Sequence, residues 1–280
     1  MSLYHYTDAN GLLGILNNNS LWATHIHFLN DIKELHSGVE RLNLFLEQEK
    51  KMVNELITDN ELLDLHPALR FLCTSYDQTI NDLNFLLNEK IDIYIISFTD
   101  KKDNLRQWMS YCPPNGGYCI EFNEEVFDNM TNLLSNNIMS KLMPVSYEGI
   151  NCENYLSIKN VLSDIFKQKG DIDSLKNYII DRNKNILFDC CSSKENMFQD
   201  ESEKRIIIQA SKQNNSIKHR TKSGVIIPYI EYIFNPSCIK SIWIGPNLNK
   251  ELARAGIEKL LKTKNITCKI EESICSLRSY

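Results

Sequence analysis

The chain has 280 residues, room for one large or two small domains, and its 42% hydrophobic and 9% aromatic content exclude a disordered or fibrous protein. Lys and Arg number 31 against 36 Asp and Glu, a formal net charge of -5, so any nucleic-acid or membrane partner must meet a local patch rather than an overall field. Nine cysteines without a repeated Cys-x-x-Cys predict buried reduced thiols, and the missing basic and apolar leader and missing apolar run of about 20 residues predict a cytoplasmic chain without a membrane segment.

In chain order, Leu3–Thr7 reads as a short strand, and Asp8 opens an apolar pattern at Leu12, Leu13, Ile15 and Leu16 that suits a helix ended by Asn17-Asn18-Asn19. Leu21–Phe28 reads as extended, and Asn30 and Asp31 then stand where a helix cap would, with Glu34 completing a capping-box spacing. From Ile32 to about Lys90 the apolar spacing is helical, with Pro67 expected to interrupt it. Ile91–Phe98 is rich in β-branched and aromatic residues and predicts a strand, followed by a helix through Leu105 and Trp108.

Pro113 to Gly117 is punctuation before a strand at Tyr118–Phe122. Helices are predicted over Glu125–Leu134 and Tyr155–Leu187, with a strand near Leu142–Tyr147 between them. Arg205–Ala210, Gly224–Ile230 and Ile239–Ile244 read as strands, Lys250–Leu261 as a helix and Thr267–Ile270 as a closing strand. Lacking a repeat or a low-complexity linker, the chain is expected to be a single α+β domain over 1–280 with helical insertions near 32–90 and 152–191.

Alternation along the first strand puts His5 and Thr7 on one face and Tyr4 and Tyr6 on the other. A neutral imidazole can bond a ribose hydroxyl and an aromatic ring can stack on a heterocycle, although a structural histidine satisfies the same pattern. Ser97 and Thr99 also share a face and offer hydroxyls to a ligand or to a strand-end turn. Trp108 and Tyr111, three apart on a helix, suit core packing or stacking on a base.

Glu201, Glu203 and Arg205 share a face if that segment is extended and disperse if it opens a charged helix. His25 and His27 lack the partners of a recognisable metal set, so no metal is expected. Lys204–Lys222 is locally basic, suited either to phosphates or to a solvated hairpin with Gln213–Ser216 at its tip.

Tyr4-His5-Tyr6-Thr7, Leu21-Trp22-Ala23-Thr24, Phe28-Leu29-Asn30-Asp31, Ser97-Phe98-Thr99, Gln107-Trp108 with Tyr111, Phe198 through Arg205 and Gly245-Pro246-Asn247 together resemble a bacterial family of uncharacterised domains. That family is similar to a distant branch of the ADP-ribosyltransferase superfamily. The resemblance implies a split mixed β-sheet core that takes NAD as substrate, without a metal. It implies Glu203 as the catalytic carboxylate with Glu201 orienting the nucleophile. His5 would contact the nicotinamide-side ribose, and Tyr6, Thr7, Asn30, Asp31, Ser97, Thr99, Trp108, Tyr111 and Arg205 would belong to the binding region. Ser97-Phe98-Thr99 resembles the Ser-Thr-Ser class, whereas His5 resembles the class with a tyrosine at that place. The implied reaction is transfer of ADP-ribose to an unidentified protein or nucleic acid, in a toxin or antiphage setting by analogy, with NAD hydrolysis or non-catalytic binding as alternatives.

Overall fold

The computed structural model describes residues 1–29, 34–59, 66–112, 116–125, 138–167, 172–246 and 249–275. Asn30, Asp31 and most of the helix expected over Glu125–Leu134 lie outside them. The chain forms two compact units, one of Met1–Phe28, Ile93–Pro144 and Met197–Tyr280, the other of Leu29–Asp92 and Val145–Asn196. The architecture is α+β, with a large mixed sheet and several helices.

The first unit carries a ten-stranded sheet. Its strands are β1 (Ser2–Thr7), β2 (Ser20–His25), β3 (Ile91–Thr99), β4 (Tyr118–Asn123), β5 (Ile138–Pro144), β6 (Glu203–Ser211), β7 (Ile217–Lys222), β8 (Val225–Ile233), β9 (Ile239–Ile244) and β10 (Lys269–Glu272). The main order is β10-β9-β4-β1-β3-β2-β8-β7, while β6 pairs with β3 and β5. β10 runs parallel to β9, whereas β4 pairs antiparallel with both β1 and β9. A strand has two edges, yet β3 has three partners in β1, β2 and β6, so two of them share one edge and the sheet branches there.

Alternation sorts the two faces. Leu3, Leu21, Ile96, Phe98, Ile120, Ile206, Ile208, Ile230 and Ile242 point into one core, joined by Leu12, Ile15 and Leu16 of α1 (Ala9–Asn18). α1 begins where the Asp8 carboxylate accepts from the Gly11 N–H at 2.6 Å and ends at Asn19, a left-handed residue with φ 49°. Tyr4 and Tyr6 enter a smaller cluster with Cys119 and Trp108, the latter from a short helix at Leu105–Tyr111.

The hairpin expected over Lys204–Lys222 is corrected: β7 pairs with β8 instead of β6. Its two-residue turn is Ser223-Gly224, both with positive φ (50° and 79°), the twist that a tight hairpin requires. Polar spacing alone did not reveal this, because Ser211–Asn214 forms a turn that leads to the next strand and not to a returning one.

The second unit is helical. α2 (Glu34–Ile57), α3 (His66–Phe85) and the helix Ile172–Cys191 bury Leu42, Leu46, Val53, Leu72, Tyr76, Leu175 and Ile179. Pro67 is the second described residue of α3, whose helix continues past it to Phe85. Gly38 permits a close helix approach, since a Cβ there would stand 2.1 Å from the Cys190 carbonyl oxygen.

Candidate functional site

The branch in the sheet gathers the segments that carry the candidate residues. β1 carries His5, β3 carries Ser97 and Thr99, and β6 carries Glu203 and Arg205, with β3 pairing to both of the others. Beyond the end of β3 the Asp100 N–H donates to the Ser202 carbonyl at 3.2 Å, and the Thr99 hydroxyl donates to the Glu201 carbonyl at 2.6 Å. Lys101 Nζ donates to the Asp200 carbonyl at 3.0 Å and Arg106 pairs with the Asp200 carboxylate at 2.9 Å. Residues 200–202 are thus fastened to the end of β3 just before β6 begins.

That fastening explains why Glu201 leaves the face expected of it. Residues Asn196–Glu201 form a 3-10 turn, and Ser202 takes a positive φ of 44°, so the two-residue alternation starts only at Glu203. Glu203 and Arg205 do share a face and are both buried, 6% and 1% exposed. Arg205 grips the carboxylate in a fork, Nε to Oε1 at 2.7 Å and Nη2 to Oε2 at 2.8 Å. This planar match of guanidinium and carboxylate satisfies charges that burial would otherwise make costly.

On β1, Tyr4 faces Thr99 across the β1–β3 pairing. His5 is half-buried, its Nδ1 lies 3.0 Å from the Ser97 carbonyl and its ring centroid 5.7 Å from that of Phe98. A carbonyl only accepts, so Nδ1 carries the proton and Nε2 keeps the lone pair of a neutral ring. Burial pushes the imidazole pKa below its ordinary value, against the smaller opposing effect of the Ser97 carbonyl.

His5 shares the Phe98 and Leu3 side of the sheet, whereas Glu203 stands on the side of β6 opposite Ile206 and Ile208 of that same core. The imidazole and the carboxylate therefore leave β1 and β6, both partners of β3, in opposite directions. Ser97 and Thr99 alternate away from Phe98, placing them on the face of Tyr4. The Thr99 hydroxyl is committed to Glu201, but Ser97 is half-buried and its hydroxyl makes no hydrogen bond among the described residues.

Tyr6 and Trp108 hold this end of the sheet. Their rings meet edge to face at 4.7 Å, the Tyr6 hydroxyl donates to the Lys101 carbonyl at 3.1 Å and accepts from the Asn104 N–H at 3.0 Å, and Trp108 is 1% exposed. Trp108 Nε1 donates to Asp103 at 2.8 Å. Stacking on a base is replaced by core packing, because neither ring presents a face to solvent. Asp103 also accepts from Ser273 and from the Ile274 N–H. Burial opposes its ionisation, but these hydrogen bonds outweigh that and hold its pKa below the ordinary carboxylate value. Neither Asp103 nor Ser273 was singled out by the sequence, since a lone Asp before a helix reads as a cap.

Thr7 is half-buried beside α1, where a Cβ on Gly11 would stand 1.9 Å from its Oγ1, and Tyr111 is 39% exposed at the end of its helix. His25 meets His27, Phe28 and Tyr94 edge to face, an aromatic cluster. Among the described residues no cluster of three His, Cys, Asp or Glu side chains could hold a metal, and no helix is long and apolar enough to cross a membrane.

A protein-family profile described as Protein of unknown function (DUF2971) matches residues 107–206. The matched stretch contains Trp108, Tyr111, Glu201, Glu203 and Arg205, while His5, Ser97 and Thr99 precede it. No curated protein and no solved structure matches the chain.

Proposed function

We propose that this protein is an NAD-dependent ADP-ribosyltransferase whose reaction is centred on Glu203. The observation that supports this reading is the branched sheet: β3, bearing Ser97 and Thr99, pairs both with β1, which carries His5, and with β6, which carries Glu203. A sheet split at this point is what the resemblance to the ADP-ribosyltransferase superfamily leads one to expect. On this reading Ser97 offers its hydroxyl to the nicotinamide-side ribose. Glu203, oriented by the Arg205 fork, steadies the positive charge that develops at the anomeric carbon as nicotinamide departs. His5 acts from the opposite side as a positioning residue, holding the Ser97 carbonyl. The acceptor nucleophile then closes the bond to ADP-ribose, or water does so in hydrolysis.

Glu203→Gln keeps an acceptor for Arg205 while removing the charge, and should lower nicotinamide release from NAD by roughly 100- to 1000-fold. Release is measured by chromatography, with far-ultraviolet circular dichroism confirming the fold. Mass spectrometry of proteins and nucleic acids incubated with labelled NAD separates transfer from hydrolysis. Undiminished release by the folded variant contradicts the role given to Glu203.

The burial of the Glu203–Arg205 pair favours a second reading, a non-catalytic binding module in which the pair is a structural clamp. Breaking one side of such a pair costs about 3–5 kcal/mol of stability. A wild-type protein inert towards NAD, with Glu203→Gln strongly destabilised, selects that reading.

A further inference from the structure

The β7–β8 ribbon and β2 present a mixed face on the side of the sheet opposite Leu21, Ala23, Ile230 and Tyr232, where Trp22, Tyr229 and the β7 cations stand beside Val225, Ile227 and Ile233. Lys218, Arg220 and Lys222 recur at every second residue of β7, so their Cα atoms are spaced by about 6.8 Å along one edge. β7 ends the strand order among the described residues, which leaves this row at a margin of the sheet. Next to it is a stack of planar groups. Tyr229 lies 4.7 Å from Trp22 at 37°, and the Arg220 guanidinium lies 5.2 Å from the Trp22 ring.

The stack is built rather than incidental. Arg220 Nη2 donates to Thr24 Oγ1 at 3.0 Å, fixing the guanidinium over the indole, while its Nε has no hydrogen-bond partner among the described residues. Trp22 nevertheless remains 39% exposed, unusual for a large aromatic ring that could have been covered. Glu231 offsets Lys218 at 2.7 Å, leaving Arg220 and Lys222 as the uncompensated charges of the row, in a chain whose net charge is negative.

We infer that this face binds single-stranded nucleic acid, with phosphates at Arg220 and Lys222 and a base against the exposed indole and guanidinium. Cations in a row match a polyanionic backbone, and flat stacking surfaces match bases irrespective of sequence. An acidic peptide uses the charges but has no use for the planar surfaces. A duplex hides its bases from them. The inference goes beyond the transferase reading and does not depend on it, because binding requires neither NAD nor Glu203.

The test is fluorescence anisotropy of the full chain with a labelled oligouridylate of about 20 nucleotides, longer than the site one small sheet offers. Wild type should bind, with log K falling against log salt at a slope of about -1.4, the value for two phosphate contacts on a single strand. Combined K218A, R220Q and K222A should remove most of that slope. Trp22→Ala should weaken binding about 10-fold at every salt concentration. A duplex of equal length, polyglutamate and phosphatidylserine vesicles should each compete poorly. Failure of the folded wild type to bind at low salt overturns the inference. So does binding unchanged in both variants, or preference for the duplex, the polypeptide or the vesicles. Because no NAD is present, either result leaves the transferase reading to its own assay.

Discussion

His5 shows how one side chain can be mechanical and electrostatic together. Its imidazole holds the Ser97 carbonyl next to the single Tyr4–Thr99 pairing, and burial lowers its pKa. The folded state therefore resists protonation more than the unfolded chain does. The stability that the neutral ring contributes is complete above the ordinary histidine pKa of about 6.5 and is lost as pH falls through the lower folded value. Thermal unfolding across pH 5 to 8 should show wild type losing stability towards acid more steeply than His5→Gln. Parallel profiles would remove burial of the ring as the cause. The pairing of His5 with Thr7 and of Tyr4 with Tyr6 on opposite faces was legible from period-two alternation. Which face would meet which strand was not, because that depends on β3 and its partner β6, about 90 and 200 positions further along the chain.

Element by element, local signals located most strands and helices where tertiary pairing did not intervene. The Asp8 cap and the left-handed Asn19 bound α1 where the sequence pointed, because capping is settled within four residues. Glu201 escaped for the opposite reason: its turn is fixed by Thr99, a hundred residues earlier in the chain, and the positive φ of Ser202 resets the strand phase. Pro67 reads as a breaker or a starter depending on which side the helix lies, and here the helix continues past it to Phe85. In the helical unit, Gly38 marks a contact that periodicity cannot register. Gly38→Val should cost about 1–3 kcal/mol through overpacking against the Cys190 carbonyl. Urea denaturation checks this as a lowered midpoint with unchanged slope, and an unchanged midpoint would mean that the helices separate at little cost.

For the whole molecule, composition indicated a folded chain and the strands and helices predicted along it an α+β class, and the structure adds how it is partitioned. One unit is a branched ten-stranded sheet and the other is helical, each assembled from segments that are discontinuous in sequence. The matched family stretch at 107–206 runs through both units and ends within β6, one residue past Arg205. At the branch, Ser97 is half-buried and Glu203 is held in the Arg205 fork. Titration calorimetry of NAD into the wild-type protein and into Ser97→Ala tests the functional account most directly. The account predicts one NAD per chain, with affinity reduced about 3- to 10-fold in the variant, the cost of one lost hydrogen bond. No detectable heat from a folded wild type at millimolar NAD, or equal affinity in both proteins, would contradict it.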